Sequence, residues 1–133
     1  YWHLKTNIDS GMFEAVQRAT VAALTEARDF PREMSGVYQR RRDLLAEALT
    51  AIGLDVQPPK ATPYFWVPVP DGHTSASFTE LVLEEAAVVV SPGPSFGPSG
   101  EGFVWLSMTV PDERLEEAAR RIETSLRSGI ITA

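Results

Sequence analysis

The spacing of apolar positions changes twice along the chain, and each change marks a different kind of element. Met12, Val16, Ala19, Ala23 and Ala27 recur at intervals of three and four, one face of a helix over about residues 12–30 that Pro31 stops. A second helical stripe follows over about residues 32–52. It places Val37, Leu44, Leu45, Ala48, Leu49 and Ile52 inward, with Arg40, Arg41, Arg42 and Glu47 largely outward and Gly53 where a left-handed C-cap is wanted. Beyond Gly53 the helical period is lost. Leu54 to Gln57 reads as a short strand, Pro58-Pro59 as a break, and Tyr64 to Pro70 as a β-rich run whose prolines put it at an edge or end it abruptly. Asp71-Gly72 is a turn signal. Ser77-Phe78-Thr79-Glu80 has the capping-box pattern and opens a short helix through about Glu85, with Phe78, Leu81 and Val82 on one side. Val88 to Val90 and Phe103 to Met108 read as strands. Thr109, three residues before Asp112, is the expected cap of a last helix with the stripe Leu115, Ala118, Ala119, Ile122 and Leu126. The order α, α, β, β, α, β, β, α predicts an α+β fold, a small mixed or antiparallel sheet with long helices packed on it.

Composition narrows the class. With 133 residues, 44% of them hydrophobic and 23% charged, the chain suits a single domain over residues 1–133. A chain of this size buries roughly two thirds of its unfolded surface. Twelve basic residues against 18 acidic ones give a net charge of −6. That balance lacks the basic stripe required by nucleic acid or an anionic membrane, so neither is expected as a partner. The absence of cysteine removes disulfide scaffolds, thiolate metal sites and cysteine nucleophiles. No apolar run approaches the roughly 20 residues of a membrane span, and Tyr1 to Lys5 has neither a basic n-region nor an h-region. The chain is therefore expected to be soluble and cytoplasmic. It opens on Tyr-Trp-His instead of Met, which suggests a piece of something longer.

Candidate chemistry is sparse. His3 and His73 are the two histidines, in a terminus and a turn, so no metal site is expected and His73 reads as an exposed turn residue. No G-x-S-x-G elbow is present. The carboxylates of Glu84-Glu85 and Glu116-Glu117 split across helix faces instead of converging as an acid/base couple, and read as solvated. The segment Ser91 to Gly102 holds Pro92, Pro94 and Pro98 with Gly93, Gly97, Gly100 and Gly102. It matches neither G-x-G-x-x-G before a helix nor G-x-x-x-x-G-K-[ST], so a tight connection between strands is favoured over an anion cradle. The run Arg40-Arg41-Arg42 reads as a solvated face ahead of an anion site. Lys5 and Lys60 are the only lysines, and neither stands in the apolar neighbourhood that Schiff-base chemistry requires.

The order of motifs adds a resemblance. Lys5 to Gly11 (KTNIDSG) is followed by Gln17, then by Tyr38-x-x-Arg41-Arg42-Asp43 and by Pro59 to Pro70 (PKATPYFWVPVP). Val90-Ser91-Pro92-Gly93 then leads through Phe96-Gly97 to Gly100-Glu101-Gly102-Phe103 and Leu106-Ser107. From about Leu4 to Ile122 this series closely resembles the C-terminal part of class I/II aminotransferases dependent on pyridoxal phosphate (PLP), nearest to the branch that holds LL-diaminopimelate aminotransferases. The resemblance implies the small C-terminal domain of a fold-type I enzyme, closing over a site built mostly by a larger upstream domain. That large domain is then the implied partner. The Schiff-base lysine, the aspartate on the pyridine nitrogen, the stacking tyrosine and most phosphate-binding groups of the family would lie upstream of residue 1. No catalytic or cofactor-binding residue is therefore expected in this chain, and PLP belongs to the parent family.

One family residue should fall inside the chain. The strand after the glycine loop normally reads G-[FY]-x-R-[IL]-S, its arginine clamping the substrate α-carboxylate, and here that position is Trp105. An indole has one N–H donor and no charge, so the clamp would be lost. Trp105 could pack into a core, mark different substrate chemistry, or have been placed deliberately on an excised or engineered scaffold. In that last alternative Tyr1, Trp2, His3 and Trp105 form an aromatic patch for a protein partner. Strand alternation puts Val104 and Leu106 on the core face, and Trp105 is expected to be substantially exposed on the other.

Overall fold

The computed structural model describes residues 1–8 and 11–126, so Asp9 and Ser10 of the K-T-N-I-D-S-G run lie outside the described residues. Two compact units are present, residues 1–36 and residues 37 onward.

In the first unit, α1 (Trp2–Ile8) and α2 (Glu14–Thr25) are local structures held by short-range bonds. The Asn7 side chain donates to the His3 carbonyl at 2.7 Å, and Arg18 pairs with Glu14 one turn away at 2.6 Å. The stripe Met12, Val16, Ala19 predicts a buried face, yet no residue of α1 or α2 is buried. The helical period is present but nothing within this unit covers it. Nor does α2 run to Phe30. It closes at Thr25, and α3 (Phe30–Ala51) begins with Pro31 in its first turn, where a missing N–H costs no hydrogen bond. Pro31 thus opens a helix as well as ending the earlier pattern. The Asp29 carbonyl accepts from the backbone N–H groups of Arg32 and Glu33.

The second unit is a three-stranded antiparallel sheet in the order β1-β3-β2, from β1 (Tyr64–Pro68), β2 (Ser91–Pro92) and β3 (Phe103–Ser107). With α4 (Ser75–Ala86) and α5 (Asp112–Leu126) this makes the α+β architecture. One face of the sheet is the core. Phe65, Val67, Val104 and Leu106 meet Leu45, Leu49 and Ile52 of the α3 stripe and its end, Phe78 and Val82 of α4, and Leu115, Ile122 and Leu126 of α5. Of the stripes read from sequence, Leu45, Ala48, Leu49 and Ile52 at α3 and Leu115, Ala119, Ile122 and Leu126 of α5 are buried against the apolar sheet face, while Val37, Leu44 and Ala118 are half-buried.

Three expected elements take a different form. Leu54 to Gln57 is not a strand: Leu54 and Val56 are buried, but no neighbouring strand pairs with the segment. Val88 to Val90 is likewise no strand. Val90 enters the core, Val89 is 83% exposed, and pairing starts only at Ser91. The caps also move. Thr74, not Ser77, is the N-cap of α4, and its box partner is the Ser77 hydroxyl in place of a glutamate. At α5 the Pro111 carbonyl receives the first helical N–H groups, while the Thr109 hydroxyl bonds to Ser107 at 2.8 Å. Arg41 departs from the solvated-face reading. It is half-buried, donating to Asp112 at 2.5 Å and to the Met108 carbonyl at 3.0 Å, and so ties α3 to the start of α5.

Candidate functional site

The register of β1 against β3 decides what the outer face of the sheet presents. Tyr64 lies opposite Ser107, Trp66 opposite Trp105 and Pro68 opposite Phe103, while the intervening pairs Phe65–Leu106 and Val67–Val104 point into the core. On the other side of β3, Ser91 of β2 is paired with Trp105. The face that the core does not use therefore carries Tyr64, Trp66, Phe103 and Trp105 together. Phe96, from the loop after β2, completes the set.

These rings contact one another. Trp105 lies 4.6 Å from Tyr64 and 5.4 Å from Phe96, centroid to centroid, and Trp66 lies 5.6 Å from Phe103 and 5.9 Å from Phe96. Such tilted, stacked and edge-on pairs each contribute about 0.5–1.5 kcal/mol beyond their buried area. Strand alternation predicts substantial exposure for Trp105, and it is half-buried instead. Tyr64 and Phe96 flank its ring, which accounts for the half-burial. Tyr64, Trp66 and Phe96 remain 38%, 40% and 58% exposed. The alternation that puts Val104 and Leu106 in the core is as expected.

The glycine-rich segment fixes Phe96 over this face. After β2 the chain makes two 3-10 turns, Gly93–Phe96 and Pro98–Gly100. Gly93 and Gly100 sit back to back: a Cβ on Gly93 would lie 2.0 Å from the Gly100 carbonyl oxygen, and one on Gly100 would lie 2.1 Å from that of Gly93. The glycines are required by this backbone approach. The turn is pinned by Ser75, which is fully buried and whose hydroxyl oxygen accepts from the backbone N–H groups of Gly102 at 2.9 Å and Phe103 at 3.1 Å. The Ser75 N–H in turn donates to the Glu101 carboxylate at 2.9 Å, placing a negative charge at the N-terminus of α4. Ser75 and Glu101 carry no recognisable motif, because their partners are 25 residues or more away.

The other candidates are dispersed. Tyr1, Trp2 and His3 are exposed residues of the first unit, whereas Trp105 belongs to the second, where its ring contacts are with Tyr64 and Phe96. His73 is half-buried instead of exposed, its ring 5.9 Å from Phe78 and its Nδ1 3.3 Å from the Ser77 hydroxyl. Glu117 is claimed by two arginines on its own helix, Arg120 at 2.8 Å and Arg121 at 2.7 Å. Their hydrogen bonds, led by that of Arg120, hold its carboxyl below the ordinary glutamate range. Among the described residues no group of three or more His, Asp or Glu could hold a metal ion, and no helix is long and apolar enough to cross a membrane.

An imine-forming cofactor such as PLP needs a lysine facing its carbonyl carbon and a carboxylate on its pyridine nitrogen. Lys60 lies in the exposed stretch before β1 and Lys5 on α1, and the groups in ring contact with Trp105 are aromatic. The described residues in ring contact with Trp105 offer neither the lysine nor the carboxylate that this cofactor needs.

Comparison with known proteins bears on the parentage of this face. The model of the family "aminotransferase class I and II" matches residues 4–122. The chain is 51% identical over 119 residues to an LL-diaminopimelate aminotransferase of Nitratidesulfovibrio vulgaris, a match covering 90% of the chain and 31% of the relative. Among solved structures, an aminotransferase from Staphylococcus aureus superposes with a TM-score of 0.83 at 34% identity, covering 91% of this chain and 32% of that one. A probable N-succinyldiaminopimelate aminotransferase from Thermus thermophilus gives 0.81 at 37%, covering 93% and 33%. The chain thus spans about a third of the length of the relatives it matches. With the order of motifs and the fold in agreement, the chain belongs to the class I and II aminotransferase family, and within it is similar to the LL-diaminopimelate aminotransferases.

Proposed function

We propose that this chain is the small C-terminal domain of a cytoplasmic, PLP-dependent amino-acid aminotransferase, without catalytic activity of its own. The observation that carries the reading is the match over residues 4–122 against relatives about three times as long. The large domain of the same enzyme is the partner, supplying the lysine and the cofactor's other ligands. Two features of this chain support such a partner. Trp2, Leu4, Ile8, Phe13, Val21 and Leu24 of the first unit are large apolar side chains left exposed, a pattern that marks interaction surfaces. The outer sheet face of the second unit likewise presents aromatic rings on a rigid backbone.

In this reading Trp105 stands where the family places the arginine that binds the substrate α-carboxylate. A guanidinium offers five N–H donors and a fixed charge, whereas the indole offers one donor and no charge. Recognition of the carboxylate from this position is lost. Reconstitution tests the domain assignment. Residues 1–133 mixed with the separately produced remainder of the polypeptide should form a stable complex that retains PLP through dialysis. Failure of the two pieces to associate, with both folded by circular dichroism, would overturn it.

A further inference from the structure

Beside the start of β2, the second unit leaves a cavity that its core does not fill. It holds about 330 Å3 between the segment from Ala87 to Val89, the end of β3 and the first three turns of α5. Small-molecule sites begin at roughly this size. Leu106, Leu115 and Ile122 line it and are buried, so they form an apolar floor. One side of the rim is apolar too, with Val89 83% exposed and Val110 40% exposed.

The other side of the rim is charged, and its charges do not balance. Arg114, Glu117 and Arg121 stand three and four residues apart on α5, along one helix face, and all three line the cavity. Glu117 is engaged by Arg121 at 2.7 Å and by Arg120 at 2.8 Å, whereas Arg114 has no ion-pair partner among the described residues. Ser107 is the remaining polar side chain of the lining, and its hydroxyl is bonded to that of Thr109 at 2.8 Å. An apolar floor with one uncommitted guanidinium at its rim is matched by a short aliphatic chain that ends in a carboxylate. The chain takes the leucine and valine surfaces out of water, and the carboxylate gives Arg114 the two-pronged partner that its planar fork accepts. A second negative charge on the ligand would meet Glu117 or the apolar floor, which disfavours a dicarboxylate or a phosphate. We propose that this cavity is a binding site for a small aliphatic monocarboxylate, held by Arg114 with its chain over Leu106, Leu115 and Ile122. The site uses none of the rings of the outer sheet face, and it does not depend on the reading of the chain as part of an aminotransferase.

Ligand-observed NMR titration of the full-length polypeptide that carries this chain, and of residues 1–133, tests the site with butanoate, pentanoate, hexanoate and hexanamide. Affinity should rise roughly two- to fourfold with each methylene, the gain expected when one methylene is buried. Hexanamide keeps the chain without the charge and should bind roughly tenfold more weakly than hexanoate. Arg114→Gln should weaken hexanoate by a similar factor and leave hexanamide unchanged, and Arg114→Lys should recover part of the loss. Arg114 is exposed, so neither substitution disturbs the core. Ala118→Leu, which puts a larger side chain into the cavity, should weaken hexanoate and hexanamide alike. Absence of hexanoate binding at millimolar concentration, an affinity that does not grow with chain length, or an Arg114→Gln protein that binds hexanoate as the wild type does overturns the inference. So does binding by residues 1–133 that is lost in the full-length polypeptide, which would show the cavity to be filled by the rest of the chain.

Discussion

Ser75 shows how a residue with no motif can govern a site. It is the first residue of α4, its side chain is fully buried, and it holds the two N–H groups at which the glycine-rich turn becomes β3. Removing the hydroxyl leaves both part-buried donors without that partner. Ser75→Ala should therefore cost about 2 to 3 kcal/mol, whereas Ser77→Ala, at an exposed cap, should cost about 1 kcal/mol or less. Urea melts of the two variants check this, and equal midpoints would contradict it. Trp105 makes the complementary point. Alternation correctly assigns its face, but its half-burial follows from Tyr64 in a strand some forty positions earlier and Phe96 in a loop, neither legible from the local pattern.

Among the elements, those with a long apolar stripe are legible in the sequence and those that depend on a partner are not. The stripes of α3 and α5 recur over several turns and end on buried Leu45, Leu49, Ile122 and Leu126, so periodicity alone locates them. Leu54 to Gln57 and Val88 to Val90 have β-forming composition, yet a strand exists only where a neighbour offers a ladder, and composition does not say whether one does. The cap of α4 lies three residues before the position its sequence pattern suggests, because a serine at the third helical position can serve the box as a glutamate does. On α5, the lowered carboxyl of Glu117 makes a pH prediction. A carboxylate whose folded-state pKa is depressed adds stability above its unfolded pKa and loses it as pH falls through the folded value. Stability should thus decline on the acid side of the ordinary glutamate range of about 4.3. Glu117→Gln should make that decline shallower in melts taken from about pH 6 down to about pH 3, the span over which glutamates titrate. An unchanged acid slope would mean that the arginine bonds are not maintained in solution. The effect is small, since Glu117 is accessible to solvent.

At the scale of the whole molecule, the fold and the family are legible because the motifs fall in series over residues 4–122. The composition of the aromatic face is not, since it is assembled from β1, β3 and the loop between β2 and β3. In the proposed reading the chain contributes a lining and closing surface, and the reactive lysine is expected elsewhere on the polypeptide. The most direct measurement is the visible absorption spectrum of residues 1–133 and of the full-length polypeptide, each incubated with PLP, dialysed and then given an amino donor. The expected result is a retained PLP band that bleaches with the donor for the full-length polypeptide and no retained band for residues 1–133. A band held by residues 1–133 through Lys5 or Lys60, and bleached by the donor, would contradict it.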